Sequence, residues 1–388
     1  MITSLSQQLI PISTPPFCPH LGCPAHFTPP VGVKWWERNG TYYTALSGWV
    51  TRFRCRLCRG GFSEQTFHID YYAKRRLDYA RVGAEISSCM GLRAIGRSHG
   101  VDHKTVGNKL MRLARQAMAA QAQLWDAMSL EEDLVADGFE SFWVSQYFPN
   151  NLHLLAGADS QFLYALNGVT IRRSGRMSEK QLARRERLER HFRADPRGVE
   201  ESFGEILEVA SALIAKSRRG QCRLRSDEHS AYRRAIFSHG AFSRLCREGR
   251  SRHITVSSTA PRTRGNPLFA VNYLDRELRK DVAEHVREST RFSRSVHGTF
   301  DRLNIYCFVH NLTKQFRLND PRALAWRTHA SQAGVDPKLL HRILAWVYHK
   351  RAFRSRSAIR GPIVWQWLRI HTTPLERGNA YLPGFLCA

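Results

Sequence analysis

Leu134-Val135-Ala136-Asp137-Gly138-Phe139-Glu140 is the stretch on which the reading of this chain turns. It is apolar and aromatic enough for a strand, yet it carries an aspartate at its centre. The run extends to Trp143, and similar runs follow from Leu152 to Ala158 and from Gln161 to Val169. Turn residues Phe148-Pro149-Asn150-Asn151 and Asp159-Ser160 separate them, so three adjacent strands are expected. A charged helical block from about 178 to 195 comes next, then an apolar helix from about 199 to 216, then a strand from Cys222 to Arg225 that ends at Ser226-Asp227. Three strands, a helix and a further strand predict a mixed α/β sheet. A basic loop rich in serine, threonine and proline spans residues 255–268, and the spacing predicts a helix over about 272–289. Residues 300–388 read as helical and then irregular, and no internal repeat is present.

N-terminal to the strands the periodicity is helical from about 73 to 125. Within it, Gly100 breaks one helix and Asp102 caps the next, a helix-turn-helix pattern. The second helix would present His103, Lys104, Asn108, Lys109 and Arg112 outward, where polar and basic side chains suit the major groove. Further upstream, Cys18-Pro-His-Leu-Gly-Cys23 and Cys55-Arg-Leu-Cys58 are two knuckles on either side of short aromatic strands around Tyr42, Tyr43 and Trp49. Cys18, Cys23, Cys55 and Cys58 offer four thiolates to a structural Zn²⁺, with His20 and His26 close enough to replace one of them. Such a site is closed and serves folding, leaving Lys34, Arg52, Arg54, Arg56 and Arg59 for phosphates. Cys89, Cys222, Cys246, Cys307 and Cys387 stand apart and read as packing residues.

Composition points the same way. Fifty-nine Lys and Arg against 33 Asp and Glu give a formal charge of +26 over 388 residues, which favours a polyanionic partner. Neither a membrane-length apolar run nor a secretory signal is present, so a soluble intracellular protein is expected, its odd cysteine count arguing against a disulfide framework.

In so basic a chain, acids at strand ends invite a metal-binding explanation. Strand alternation sends Asp137 to one face and Glu140 to the other, so only one of them can face a site. Asp227 directly follows a strand, where open α/β sheets place ligands. Two such carboxylates with a third from a helix can hold a pair of divalent ions for phosphoryl transfer.

A zinc ribbon, a helix-turn-helix, Val-Ala-Asp137-Gly-Phe on a first strand and Arg-Ser-Asp227-Glu-His at a fourth together resemble the bacterial insertion-sequence DDE transposases, over residues 15–312. The resemblance implies a ribonuclease H-like core, Mg²⁺ or Mn²⁺, cleavage of element ends and joining of the 3′-hydroxyl to target DNA. It implies double-stranded DNA as partner, a homo-oligomer, and a bacterial cytoplasm near the nucleoid. It divides the chain into a zinc ribbon (15–65), a helix-turn-helix domain (73–125), a catalytic core (130–312) and a C-terminal extension (313–388). It maps Asp137 and Asp227 onto the first two catalytic positions. At the third the sequence departs from the family: the Asn-x-x-acid arrangement selects Asp275, whereas a literal glutamate selects Glu277, and Glu288 and Asp301 are more distant alternatives. Two residues apart on a helix diverge by about 200°, so one of Asp275 and Glu277 can point at the metals. Arg276, Arg279, Lys280 and Arg287, with the arginines of residues 172–193, would wall the substrate. Two other classes fit the charge: a DNA-binding regulator that keeps the fold without the chemistry, and an RNA-processing factor, which leaves the helix-turn-helix unexplained.

Overall fold

The computed structural model describes residues 13–286, 291–317, 326–371 and the single positions 319, 321, 324 and 374. Glu288, Arg287 and Cys387 lie outside the described residues. The N-terminal unit is a short helix α1 (Pro24–Phe27) and a three-stranded antiparallel sheet of β1 (Trp36–Thr44), β2 (Gly48–Cys55) and β3 (Gly61–Ser63). Its core is small: Trp35, Trp36, Phe53 and the buried cysteines. Three helices follow, α2 (Tyr79–Ile86), α3 (Leu92–Ser98) and α4 (His103–Ala127). The α3–α4 turn uses Gly100 at φ +63°, where only glycine is at ease, and Asp102 caps α4 by accepting from the Lys104 amide. Gly96 is needed for a different reason, since a Cβ there would lie 2.7 Å from the Val101 carbonyl oxygen.

Beyond α4 lies a mixed five-stranded sheet built from β4 (Leu134–Phe142), β5 (Pro149–Gly157), β6 (Leu163–Thr170), β7 (Cys222–Ser226) and β8 (Ser251–Thr255), in the order β6-β5-β4-β7-β8. The first three strands run antiparallel to one another, whereas β7 and β8 lie parallel to β4. The second strand begins at Pro149, not at Leu152 as the turn residues suggested. Asn150 and Asn151 are buried and pair with Ser141 and Glu140, and the chain reverses over 143–148 instead. Proline is tolerated there because it is the first residue of its strand.

Between β6 and β7 run α5 (Glu179–Glu189) and α6 (Gly198–Lys216). Next come α7 (Ser230–Ser238) and α8 (Gly240–Arg247), then, after β8, α9 (Phe269–Asp281) and α10 (Val296–Leu312). Helices cover both faces of the sheet, and every residue of β5 is buried in consequence. On one face Ala136 and Leu155 meet Phe203, Ile206 and Leu207 of α6. On the other, Val135, Leu152 and Leu154 meet Val271, Leu274 and Leu278 of α9 and Phe300 and Leu303 of α10. The helix expected to 289 ends at Asp281, and the charged helix expected to 195 ends at Glu189 with no buried residue.

The C-terminal part carries α11 (His329–Gln332), α12 (Pro337–Val347) and α13 (Pro362–Leu368), and α12 and α13 pack on α4. It also reaches the N-terminal unit. The Ile69 amide donates to the His349 carbonyl, the Arg351 amide to that of Phe67, and Phe17, Phe67 and Phe353 form one cluster. Of the tryptophans there, Trp367 is buried, while Trp326 and Trp365 are exposed. Among the described residues no helix is long and apolar enough to cross a membrane.

Candidate functional site

The four cysteines of the N-terminal unit converge. Their sulfurs all lie within 4.8 Å of one another, with Cys18 Sγ 3.7 Å from Cys58 Sγ and Cys23 Sγ 3.6 Å from Cys55 Sγ. A tetrahedron with Zn–S bonds of about 2.3 Å has edges of roughly 3.8 Å, so the set could hold a zinc ion with little adjustment. Burial pushes the Cys18 thiol up; Cys55 is buried too, but the knuckle amides of Cys58 and Leu57 outweigh this and hold it below its usual value. His26 is no ligand. Its Nδ1 lies 2.7 Å from the Cys18 carbonyl oxygen and its Nε2 2.8 Å from Ser355 Oγ, so both ring nitrogens are engaged. His20 stands over Gly60, where a Cβ would fall 2.4 Å from Nε2, and is not in the converging set.

On α4, the expected outward face is only partly outward. Lys104 and Asn108 are exposed and His103 half-buried. Lys109 is buried and ion-paired with Asp70, which also accepts from the Tyr79 hydroxyl at 2.7 Å. Arg112 turns inward to the Ile69 carbonyl at 2.8 Å and stacks on Tyr71. The reason is helical arithmetic: Lys109 lies about 60° from Val106 and about 40° from Leu113, both core residues, so it belongs to their face.

The sheet brings acids together at the carboxyl end of its parallel strands. β4 and β7 pair as Leu134↔Leu224 and Val135↔Arg225; Asp137 lies two residues beyond that pairing and Asp227 just past the end of β7, close enough for its charge to act on Asp137. Asp137 shares its face with Val135 and Phe139, the face that α9 covers, and α9 carries Asp275. Asp137 feels the charge of the other two. Burial, then Asp227 and Asp275, push the Asp137 carboxyl up to about 7, against the Gly138 amide and Arg262. Burial likewise pushes Asp275 up to about 7, offset in part by Arg279 and Arg262. Asp227 accepts from the His229 amide at 2.9 Å, which turns the chain into α7.

The floor of this cluster was not foreseen. Gly138 cannot be replaced, since a Cβ would lie 2.0 Å from Asn151 Oδ1 and 2.6 Å from the Tyr232 hydroxyl. Tyr232 is buried, stacked on Phe203 at 4.1 Å. Burial and then the charges of Asp137 and Asp227 hold its hydroxyl well above its ordinary value, so it stays neutral near the acids.

The alternatives for a third acid are occupied elsewhere. Glu277 is buried against Lys314 at 2.5 Å and Lys280 at 3.0 Å. Burial raises it, but these two lysines prevail and hold it below its usual value. Asp301 pairs with Arg369 at 2.9 Å. Arg279 donates to the Glu140 carbonyl and lies over Phe139, Arg276 is exposed over Tyr273, and Lys280 is shared between Glu277 and Asp281. Arg172, before α5, and Arg185 on it both pair with Glu189, on a helix that buries nothing. The chain matches no protein-family model and no curated protein sequence.

Proposed function

We propose that this protein is a metal-dependent DNA strand-cleaving and strand-joining enzyme of the DDE transposase type. One observation carries the reading: Asp137, Asp227 and Asp275, from two neighbouring strand ends and the helix covering them, share one electrostatic site. The mixed order β6-β5-β4-β7-β8, with helices on both faces, supports a ribonuclease H-like core. The α3–α4 pair, with its glycine turn and exposed Lys104 and Asn108, supports a helix-turn-helix that reads the major groove. The cysteine cluster supports a structural Zn²⁺ that folds the N-terminal unit.

The acidic site suits Mg²⁺ or Mn²⁺. Burial pushes two of its carboxyls up to about 7, with like charge from Asp227 and Asp275 adding to it at Asp137, and hard divalent cations seek such oxygen clusters. When bound, the ions would lower the pKa of the attacking water or 3′-hydroxyl and stabilise the leaving oxygen. The residues themselves do the rest. Asp137 on the sheet, Asp275 on α9 and Asp227 at the end of β7 would hold the ions, with the neutral Tyr232 packed nearby. Arg276, exposed beside Asp275, and Arg279, one turn further along α9, would offer charge to the DNA backbone. Duplex DNA at the element ends and at the target would be the partner, with a homo-oligomer joining paired ends.

The test is Mg²⁺-dependent cleavage of DNA carrying the ends of the surrounding genetic element, comparing the native chain with Asp227→Ala. Loss of cleavage with retained binding supports the enzyme. Binding without cleavage by either protein favours the second reading, a regulator that keeps the fold and the DNA contacts alone.

A further inference from the structure

Residues 256–268 join β8 to α9 and so connect the two ends of the acidic site. At the β8 end the Val256 amide donates to the Ser226 carbonyl at 2.9 Å, immediately before Asp227. The amide and hydroxyl of Ser258 reach Glu228, immediately after it, at 3.4 and 3.5 Å. At the other end the loop passes directly into the helix that carries Asp275. Its course between is held from inside. Asn266 is buried, its Nδ2 donating to the Pro261 carbonyl at 2.8 Å and its Oδ1 accepting from the Leu268 amide at 2.7 Å, while its own amide donates to the Thr263 carbonyl. At the crest, Arg262 is exposed and makes no ion pair among the described residues. Its charge is felt by both Asp137 and Asp275.

A long, exposed cation on a braced loop that runs from the Asp227 end of the site to α9, its charge reaching Asp137 and Asp275 yet bonded to neither, is placed for a ligand that carries its own negative charge to the site. We infer that this loop is a phosphate clamp, with Arg262 gripping a backbone phosphate of the nucleic acid beside the phosphodiester that lies at Asp137, Asp227 and Asp275. The inference rests on the proposed reading of those acids. Arginine suits the task because its planar fork meets two phosphate oxygens at once. Asn266 and Glu228 do not touch the ligand; they set the height of the loop.

The experiment measures duplex DNA binding against salt concentration for the native chain, R262Q, R262K and K338Q, the last an equal charge loss at an exposed position of α12. Mn²⁺ binding to each, and to D227A, is followed in parallel by electron paramagnetic resonance. One lost phosphate contact should lower the slope of log K against log salt by about one and weaken binding roughly fivefold to tenfold at 0.1 M salt. R262Q should show this while keeping Mn²⁺, R262K should recover most of the slope, and K338Q should match the native chain. An unchanged slope in R262Q, or a loss equal to that of K338Q, overturns the clamp. Failure of the native chain to bind Mn²⁺, with the R262Q slope still reduced, overturns the two-metal reading and leaves a phosphate site at Arg262. Absence of any salt-dependent DNA binding by the native chain overturns both.

Discussion

Replacing Asp137 by asparagine should make the protein more stable at pH 8, although it removes a residue of the proposed catalytic centre. In the fold, burial and the neighbouring charges of Asp227 and Asp275 raise the Asp137 carboxyl from 3.8 to about 7. At about 1.36 kcal/mol per tenfold change in proton affinity, that displacement corresponds to a ceiling of about 4 kcal/mol for keeping the group ionised. Part of the ceiling is repulsion shared with Asp275, itself raised to about 7, so an effect on the order of 2–4 kcal/mol is expected. The sign follows from proton counting: between 3.8 and about 7 the folded state holds a proton that the unfolded chain has released, so stability falls as pH rises through that window. Below it both states are protonated and asparagine gains nothing; above it the gain is complete. Asparagine keeps the shape, and its carbonyl oxygen can still accept from the Gly138 amide. Urea unfolding of both proteins from pH 4 to 8, without divalent ions, measures the difference. Adding Mn²⁺ should stabilise the native chain and narrow it, because the ion binds the folded state alone. A pH-independent difference, or a destabilised Asp137→Asn protein at pH 8, would refute the claim that this site stores uncompensated charge.

Three further outcomes follow from the same structure. Cys55→Ser, or a strong chelator, should reduce bound zinc from one ion per chain toward none and lower the melting temperature of the N-terminal unit, read by metal analysis alongside calorimetry; full zinc content in the variant would exclude the four-cysteine site. Lys109→Met should destabilise by about 3–5 kcal/mol because it leaves Asp70 charged and buried, whereas the double change with Asp70→Asn should recover much of that loss, and equal unfolding midpoints for the single and double variants would contradict the pairing. Glu277→Gln should lower stability at neutral pH and converge on the native chain in acid, since a carboxyl held below its usual value contributes above the ordinary glutamate range and loses that contribution as pH falls; it should leave Mn²⁺ binding intact, which Asp275→Asn should not.

The parts of the fold that could be read from the sequence were those set by neighbours along the chain. Runs such as Leu134–Glu140 announce strands because alternate burial and β-propensity act locally, and two cysteine knuckles announce a converging set of thiols because the ligand spacing is local too. Pro149 misled for the converse reason. A proline beside two asparagines looks like a turn until Ser141 and Glu140 arrive from another strand to pair with them. The C-terminal segment was opaque because its order comes from Phe17, Phe67, Ile69 and α4, hundreds of residues away. Tyr232 and Gly138 belong to the same class, since the need for glycine at 138 exists only once Asn151 and Tyr232 are in place. Lys109 differs: its place between Val106 and Leu113 was legible, and its charge drew it to the wrong face.

The choice between Asp275 and Glu277, open at the level of sequence, turns on compensation. Both are acids of α9 and neither is fully exposed, so burial does not separate them. Glu277 faces two lysines within 3.0 Å and is held below its usual value; its charge is already neutralised by the protein, and an added cation there would meet Lys280 and Lys314. Asp275 has arginines in its field but no ion pair among the described residues, and it sits near 7 opposite Asp137. A carboxylate that must bind a divalent ion cannot be paid off beforehand by its own protein, because the ion would then have to displace a buried ammonium as well as shed its water. The acid left unstable by the fold is therefore the better candidate for the metal, and the same criterion favours Asp137 in the proposed site over Asp301, which Arg369 already satisfies.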